Sequence, residues 1–370
     1  MLKNILIPAC LLIALSCFFP KMAAGQASTP ATEDDPFQAL RNAIVDTGVV
    51  RDATPALIRP RYLSVSDASL SMEDNEVVFL APFFPDGIMR IYPQRIMVWH
   101  EVVNEFFDET NAQPVAITYC PITGSIAAYN LHTGKHPITL GVSGKLLNNN
   151  SILYDHFSAS SWPQLTGQCI DGTFKGRVLP RLPLIWTTWG RAKALYSEAK
   201  VLSRSTGFRR NYGKDPYGSY TLTGSYYDDL AVIYPLLHVD KRLHPKQRMH
   251  CLEFDGIAVA INKEEVKKLG AVNFSMGITP LVAAYDPLLD TVRVFGREIE
   301  VDGEKTSLTF SWADGYLVDD QTRTEWSNEG KGILGKYRDR TLTQFAGVDC
   351  MWFAWSAFYP RTRIVPGQEF

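Results

Sequence analysis

The sequence lacks a strong charge of either sign, an apolar run long enough to cross a bilayer, and every short motif that marks a common cofactor. It has 370 residues with 37 Lys and Arg against 39 Asp and Glu, a formal net charge of −2. That balance, in an exported protein, speaks against a nucleic-acid partner. The longest apolar stretch, Ile5 to Phe19, is about fifteen residues, whereas a membrane helix needs roughly 20. No phosphate loop, dinucleotide fingerprint, His-Glu-x-x-His site or EF-hand loop occurs. Gly141-Val142-Ser143-Gly144 lacks the spacing of a nucleophile elbow. Six cysteines are too few and too scattered for a zinc finger or a disulfide framework.

What is present is ordinary globular material: 46% hydrophobic and 21% charged residues, with 19 Phe, 16 Tyr and 8 Trp. The length suits two ordinary domains or one large duplicated one. Residues 1–25 read as a signal peptide, with Lys3 as the basic start, Ile5 to Phe19 as the apolar segment and Ala23-Ala24-Gly25 as the cleavage site. Ala14-Leu15-Ser16-Cys17 also has the look of a lipidation box, although Ala14 replaces the usual large aliphatic residue. The expectation is an exported, periplasmic or secreted protein with no transmembrane segment after cleavage. Removing Lys3 and Lys21 brings the net charge to −4. Cys120, Cys169, Cys251 and Cys350 then remain, in a compartment that permits disulfides.

Self-comparison organises the rest. Trp-x-x-Trp occurs at Trp186/Trp189 and again at Trp352/Trp355, 166 residues on, and the same offset relates Pro114–Pro121 to Pro280–Pro287. Asp155 and Trp162 match Asp319 and Trp326 at an offset of 164, and Asp86-Gly87-Ile88 matches Asp255-Gly256-Ile257 at 169. These correspondences predict a β-rich α+β fold made by tandem duplication of a strand-strand-helix-strand-turn-strand unit, with the two copies packed together. The expected divisions are an N-terminal extension over 26–75, copy one over 76–202, a Tyr/Arg-rich connector over 203–248, and copy two with the C-terminal tail over 249–370. The connector, with six tyrosines, is too aromatic for a flexible linker and should pack on both copies. In copy one, strands are expected at 76–80 and 88–92. A helix should follow from Pro93, with Ile96, Trp99, Val103 and Phe107 on one face. Pro114–Tyr119 should be a buried strand that turns through Cys120-Pro121-Ile122-Thr123-Gly124.

Trp99-His100-Glu101-Val102-Val103-Asn104, Thr118-Tyr119-Cys120-Pro121, Gly141-Val142-Ser143-Gly144, Gln164-Leu165-Thr166-Gly167, Ser205-Thr206-Gly207-Phe208 and Trp352-Phe353-Ala354-Trp355 together resemble an exported prokaryotic family, domain of unknown function three-one-seven-nine. The likeness runs from about Ala53 to Val365 and implies no established activity. Members commonly read Tyr-Cys-Pro-Leu-Cys-Gly at the turn. Thr123 stands at the second cysteine here, so a local dithiol is impossible.

Cys120 leaves a buried strand into a proline turn, where rigid scaffold can present a side chain to a cleft. Its counterpart in copy two is Asp286. His100 should lie on the inward helical face, and copy two has no matching histidine. A Cys120–His100 pair could lower the thiol pKa for nucleophilic attack or hold a soft transition metal such as copper or zinc. The plain readings are a small buried hydrophobe and a core histidine bonded to a carbonyl. Tyr119, Glu101 and Trp162 are expected near this site. The pattern points to an exported thiol- or metal-dependent enzyme or metal-binding protein acting on an unidentified small molecule or envelope component. The alternative is a non-catalytic cell-envelope protein that binds a ligand or partner in the groove between copies, through Arg209 and Arg210. A third reading ties Cys120 into a disulfide with Cys169, Cys251 or Cys350.

Overall fold

The computed structural model of the chain describes residues 35–107, 113–133, 137–301 and 303–367. The expected signal peptide and the start of the extension lie outside them. Among the described residues the fold is β-rich, with 28 short strands and six helices of at most seven residues. Among these described residues no helix is long and apolar enough to cross a membrane.

The chain begins its main body with an antiparallel pair, Val77–Ala81 and Arg90–Pro93, and the helix Gln94–His100 follows Pro93. The predicted helix was to continue to Phe107, but it stops at His100. Glu101 takes a left-handed backbone, φ 58°, as the cap, and Val102–Phe106 becomes a strand paired with Pro114–Cys120. The adjacent β-branched pair Val102-Val103 fits a pleated, two-sided burial better than another helical turn. The period-3.6 spacing of Val103 and Phe107 was therefore fortuitous. Ser125–Asn130 returns beside Pro114–Cys120, and Leu140–Leu147 pairs with Asn150–Asp155 in a second sheet.

In the second half, Arg248–Phe254 and Ile257–Asn262 pair, the helix Lys263–Leu269 follows, and Ala271–Met276, Thr279–Asp286 and Thr291–Gly296 form an antiparallel meander. The strand Ser125–Asn130 of the first half meets Val348–Met351 of the second at Ile126 and Asp349. One nine-stranded sheet thus runs through both halves. The largest apolar cluster mixes Val102, Ala116 and Tyr129 with Met249, Val348 and Trp355. The halves share a core, as the aromatic connector suggested. The helices after the two tryptophan strands begin at Trp189 and Trp352. That is three residues out of the register in which Trp-x-x-Trp aligns.

One turn occurs in both halves with the same bonds. Asp155 is fully buried and accepts from the backbone N–H of Ser158 and Ser160 and from Trp162 Nε1 at 3.0 Å. Asp319 accepts from Thr322 N, Thr324 N and Trp326 Nε1 at 3.2 Å. Trp162 is therefore a core anchor, 1% exposed, and not a member of a site. Removing either carboxylate strands two buried donors, the indole and one backbone N–H, together with half-buried ones from Ser158 or Thr322. Asp155→Ala and Asp319→Ala should each lower stability by about 3 kcal/mol. As the two share no partner, the double variant should lose the sum within about 0.5 kcal/mol. Urea denaturation checks both, and single losses below about 1 kcal/mol would contradict these roles.

Candidate functional site

Cys120 ends its strand with the side chain wholly buried. Its sulfur lies 3.8 Å from the Asn149 carbonyl oxygen. Burial pushes the thiol pKa up, the Glu101 carboxylate adds to the rise, and hydrogen bonding from Ser151 and Thr123 opposes it. Around the turn sits a buried polar network. Asn150 Nδ2 donates to Thr123 Oγ1, Ser125 Oγ and Gln164 Oε1 at 3.0, 3.2 and 2.9 Å. Gln164 Nε2 donates to Thr118 Oγ1 at 2.8 Å. Satisfied networks of this kind fix one geometry in a low-dielectric interior.

Glu101 stands beside this network. Ser151 Oγ donates to its Oε2 at 2.6 Å. Burial raises the carboxyl pKa from the ordinary value near 4.5 to about 7, with Ser151 pulling the other way. Both residues line a pocket of about 170 Å3 that also touches Pro121, Lys145, Tyr217 and Tyr234. Tyr217 senses the charges of Glu101 and Cys120, and its own pKa is raised, first by burial. Tyr226 donates to the Ile122 carbonyl at 2.6 Å, so the connector closes the turn from above. Glu101, expected as a neighbour of the site, lines this pocket from a left-handed backbone position that a sequence does not display. The one clue was its place directly after the predicted inward face of a helix.

The expected Cys120–His100 pair is not formed. His100 is fully buried, with Nδ1 2.8 Å from the Pro55 carbonyl and Nε2 2.7 Å from the Tyr212 hydroxyl. Both ring nitrogens are spent on the extension and the connector. Burial lowers the imidazole pKa, which suits a neutral structural histidine. Tyr119 follows the alternation of a strand and points away from Cys120. Its hydroxyl meets Gln94 Nε2, Tyr220 and Tyr227 at 3.1, 3.0 and 3.3 Å. Arg209 and Arg210 are exposed, and Arg210 donates to the Ala53 carbonyl at 2.9 Å. They do not line the groove between halves. Cys120, Cys169, Cys251 and Cys350 are all free and buried, which removes the disulfide reading for Cys120. Among the described residues no group of three His, Cys, Asp or Glu side chains is placed to hold a metal ion. A copper or zinc site at Cys120 and His100 therefore has no support.

The family described as "Protein of unknown function (DUF3179)" matches residues 51–362. The chain belongs to this family. Its match includes Glu101, Cys120, Ser151 and the connector tyrosines. Comparison with curated proteins and with solved structures gives no match.

The raised pKa of Glu101 has a definite sign for stability. The folded state keeps a proton that the unfolded chain releases above about 4.5, so Glu101 makes stability fall as pH rises toward about 7. Glu105, buried under Tyr92 and raised to about 8 by burial, acts in the same sense. Glu101→Gln should flatten the decline between about pH 4.5 and 7 and leave the part above it, measured as urea midpoints across that range. Parallel curves for the variant and the parent would overturn the assignment.

Proposed function

We propose that the pocket above Cys120 is the working site of an exported protein and that it carries out proton transfer on a small polar molecule. Glu101 exchanges the proton, and Ser151, which donates to it, is the adjacent pocket group that a proton acceptor can activate, with Cys120 buried behind the lining. One observation carries this reading. The helix of the second half ends in the same way at Gly270, φ 77°, where glycine takes the left-handed backbone freely. The first half puts Glu101 at that place and accepts a strained backbone for a carboxyl that titrates near neutrality. Strain and a shifted pKa meeting at one pocket residue mark a functional position.

The reading includes a tandem duplication, with copies over 76–202 and 249–370 joined by the connector 203–248, in which the first copy kept the site. Gly270 in place of Glu101, and Asp286 in place of Cys120, support it: Asp286 is spent on an ion pair with Arg293 at 3.0 Å. The leader 1–25 directs export. N-terminal sequencing of the protein recovered from cells should then start at Gln26; a start at Met1 would sink export with cleavage.

A thermal-shift screen of small esters, amides and hydroxy compounds tests the site. At least one compound should raise the Tm of the parent and lose that effect in both Glu101→Gln and Ser151→Ala. If every stabilising compound keeps its full effect in both variants, the pocket is not the working site.

A further inference from the structure

The groove between the halves contains cations that the pocket above Cys120 does not use. It measures about 240 Å3 and is lined by Trp186 and Thr187 of the first half, Tyr220 of the connector, and Arg248, Lys263 and Lys267 of the second half. The guanidinium of Arg248 lies 3.7 Å from the centroid of the Trp186 ring, which holds its plane. Its Nη2 is 3.5 Å from Asp349 Oδ2, beyond a good hydrogen bond, and its buried Nε has no partner. Lys263 Nζ is 2.5 Å from the same carboxylate and 11% exposed, and His250 Nδ1 is 2.7 Å from it. A single carboxylate thus serves Arg248, Lys263 and His250. Lys267 is paired with Asp290 at 2.7 Å, and Glu264 is exposed at the rim.

A largely buried lysine and an arginine still about 31% exposed share one carboxylate here, an arrangement that a further anion would relieve. The geometry points to an oxyanion-binding site at this seam, in which the Arg248 fork and the Lys263 ammonium hold a small phosphate or carboxylate group. A guanidinium held flat on an indole presents its donors in one plane, which suits two oxygens of one anion. The ammonium has donors left after Asp349 and supplies a point charge. The volume admits only a small molecule or the anionic end of a larger one. Because ligand oxygens would touch both halves, occupancy would also tighten the seam.

Isothermal titration of the full chain in low-salt, chloride-poor buffer tests this with inorganic phosphate and, separately, acetate. Saturable binding of phosphate alone identifies a tetrahedral oxyanion, and binding of acetate identifies a carboxylate. Arg248→Gln should weaken that binding by about tenfold or more. Arg209→Gln, the same charge change on the exposed connector, should leave it unaltered, and so should Glu101→Gln, which separates this site from the pocket above Cys120. Should Arg248→Gln not fold, Lys267→Gln at the exposed mouth carries the same expectation of weaker binding. No saturable binding of either anion, equal losses in Arg248→Gln and Arg209→Gln, or full affinity in Lys267→Gln would overturn the proposal.

Discussion

The turn Asn148-Asn149 ties together the pocket, the connector and the second half. Both residues are left-handed, φ 51° and 63°, as a two-residue hairpin of the twisted kind requires, and both are buried. Asn149 accepts from Tyr234 N through Oδ1 and donates to Tyr234 O through Nδ2, each at 2.8 Å, while its own carbonyl faces Cys120 Sγ. Asn148 accepts from Leu237 N at 2.9 Å and donates to Ala357 O at 3.3 Å. Two side chains thereby treat the connector as if it were a further strand. Without them the tyrosines over Pro121 and Ile122 would have no fixed height above the thiol.

The two halves use the same architectural parts for different ends. Aspartate in the turn before the core tryptophan keeps its bonds in both, so the framework is equally well satisfied twice. The ends of the strand Pro114–Cys120 and of the strand Thr279–Asp286 differ in chemistry. One offers a thiol beside a carboxyl that sits between its charged and neutral forms. The other offers a carboxylate held by Arg293 through one oxygen and by the backbone N–H groups of Leu288 and Leu289 through the other. Hydrogen bonds and an ion pair account for the second arrangement, whereas the first holds a buried carboxyl whose pKa is raised to about 7.

Much of this was legible in the sequence. The match of Asp155 and Trp162 to Asp319 and Trp326, the turn at Asp86-Gly87, the helix after Pro93 and the packing role of the tyrosine connector follow from residue type and spacing, whereas the bond that ties Trp162 to Asp155 in the core does not. The helix end did not, because Val103 and Phe107 fit a helical period by chance while Glu101 reversed the backbone. His100 was misread for a related reason. Its inward direction was right, but its partners come from Pro55 and Tyr212, 45 and 112 residues away, and no local pattern announces them. The expected groove cations are Arg209 and Arg210, in the middle of the connector. The ones that face the groove are Arg248, at the connector's end, and Lys263, which sheet pairing brings to Asp349 and which no run of charge reveals.

The claim on which the functional reading stands is that Glu101 changes charge near neutrality inside the folded protein. Carbon-detected NMR of the side-chain carboxyl, assigned by its absence in Glu101→Gln, follows that charge directly through a pH titration. A midpoint near 7 is expected. A midpoint near 4.5, the value of an ordinary glutamate, would mean that the pocket carboxyl is simply solvated and that the strained position of Glu101 serves some other end.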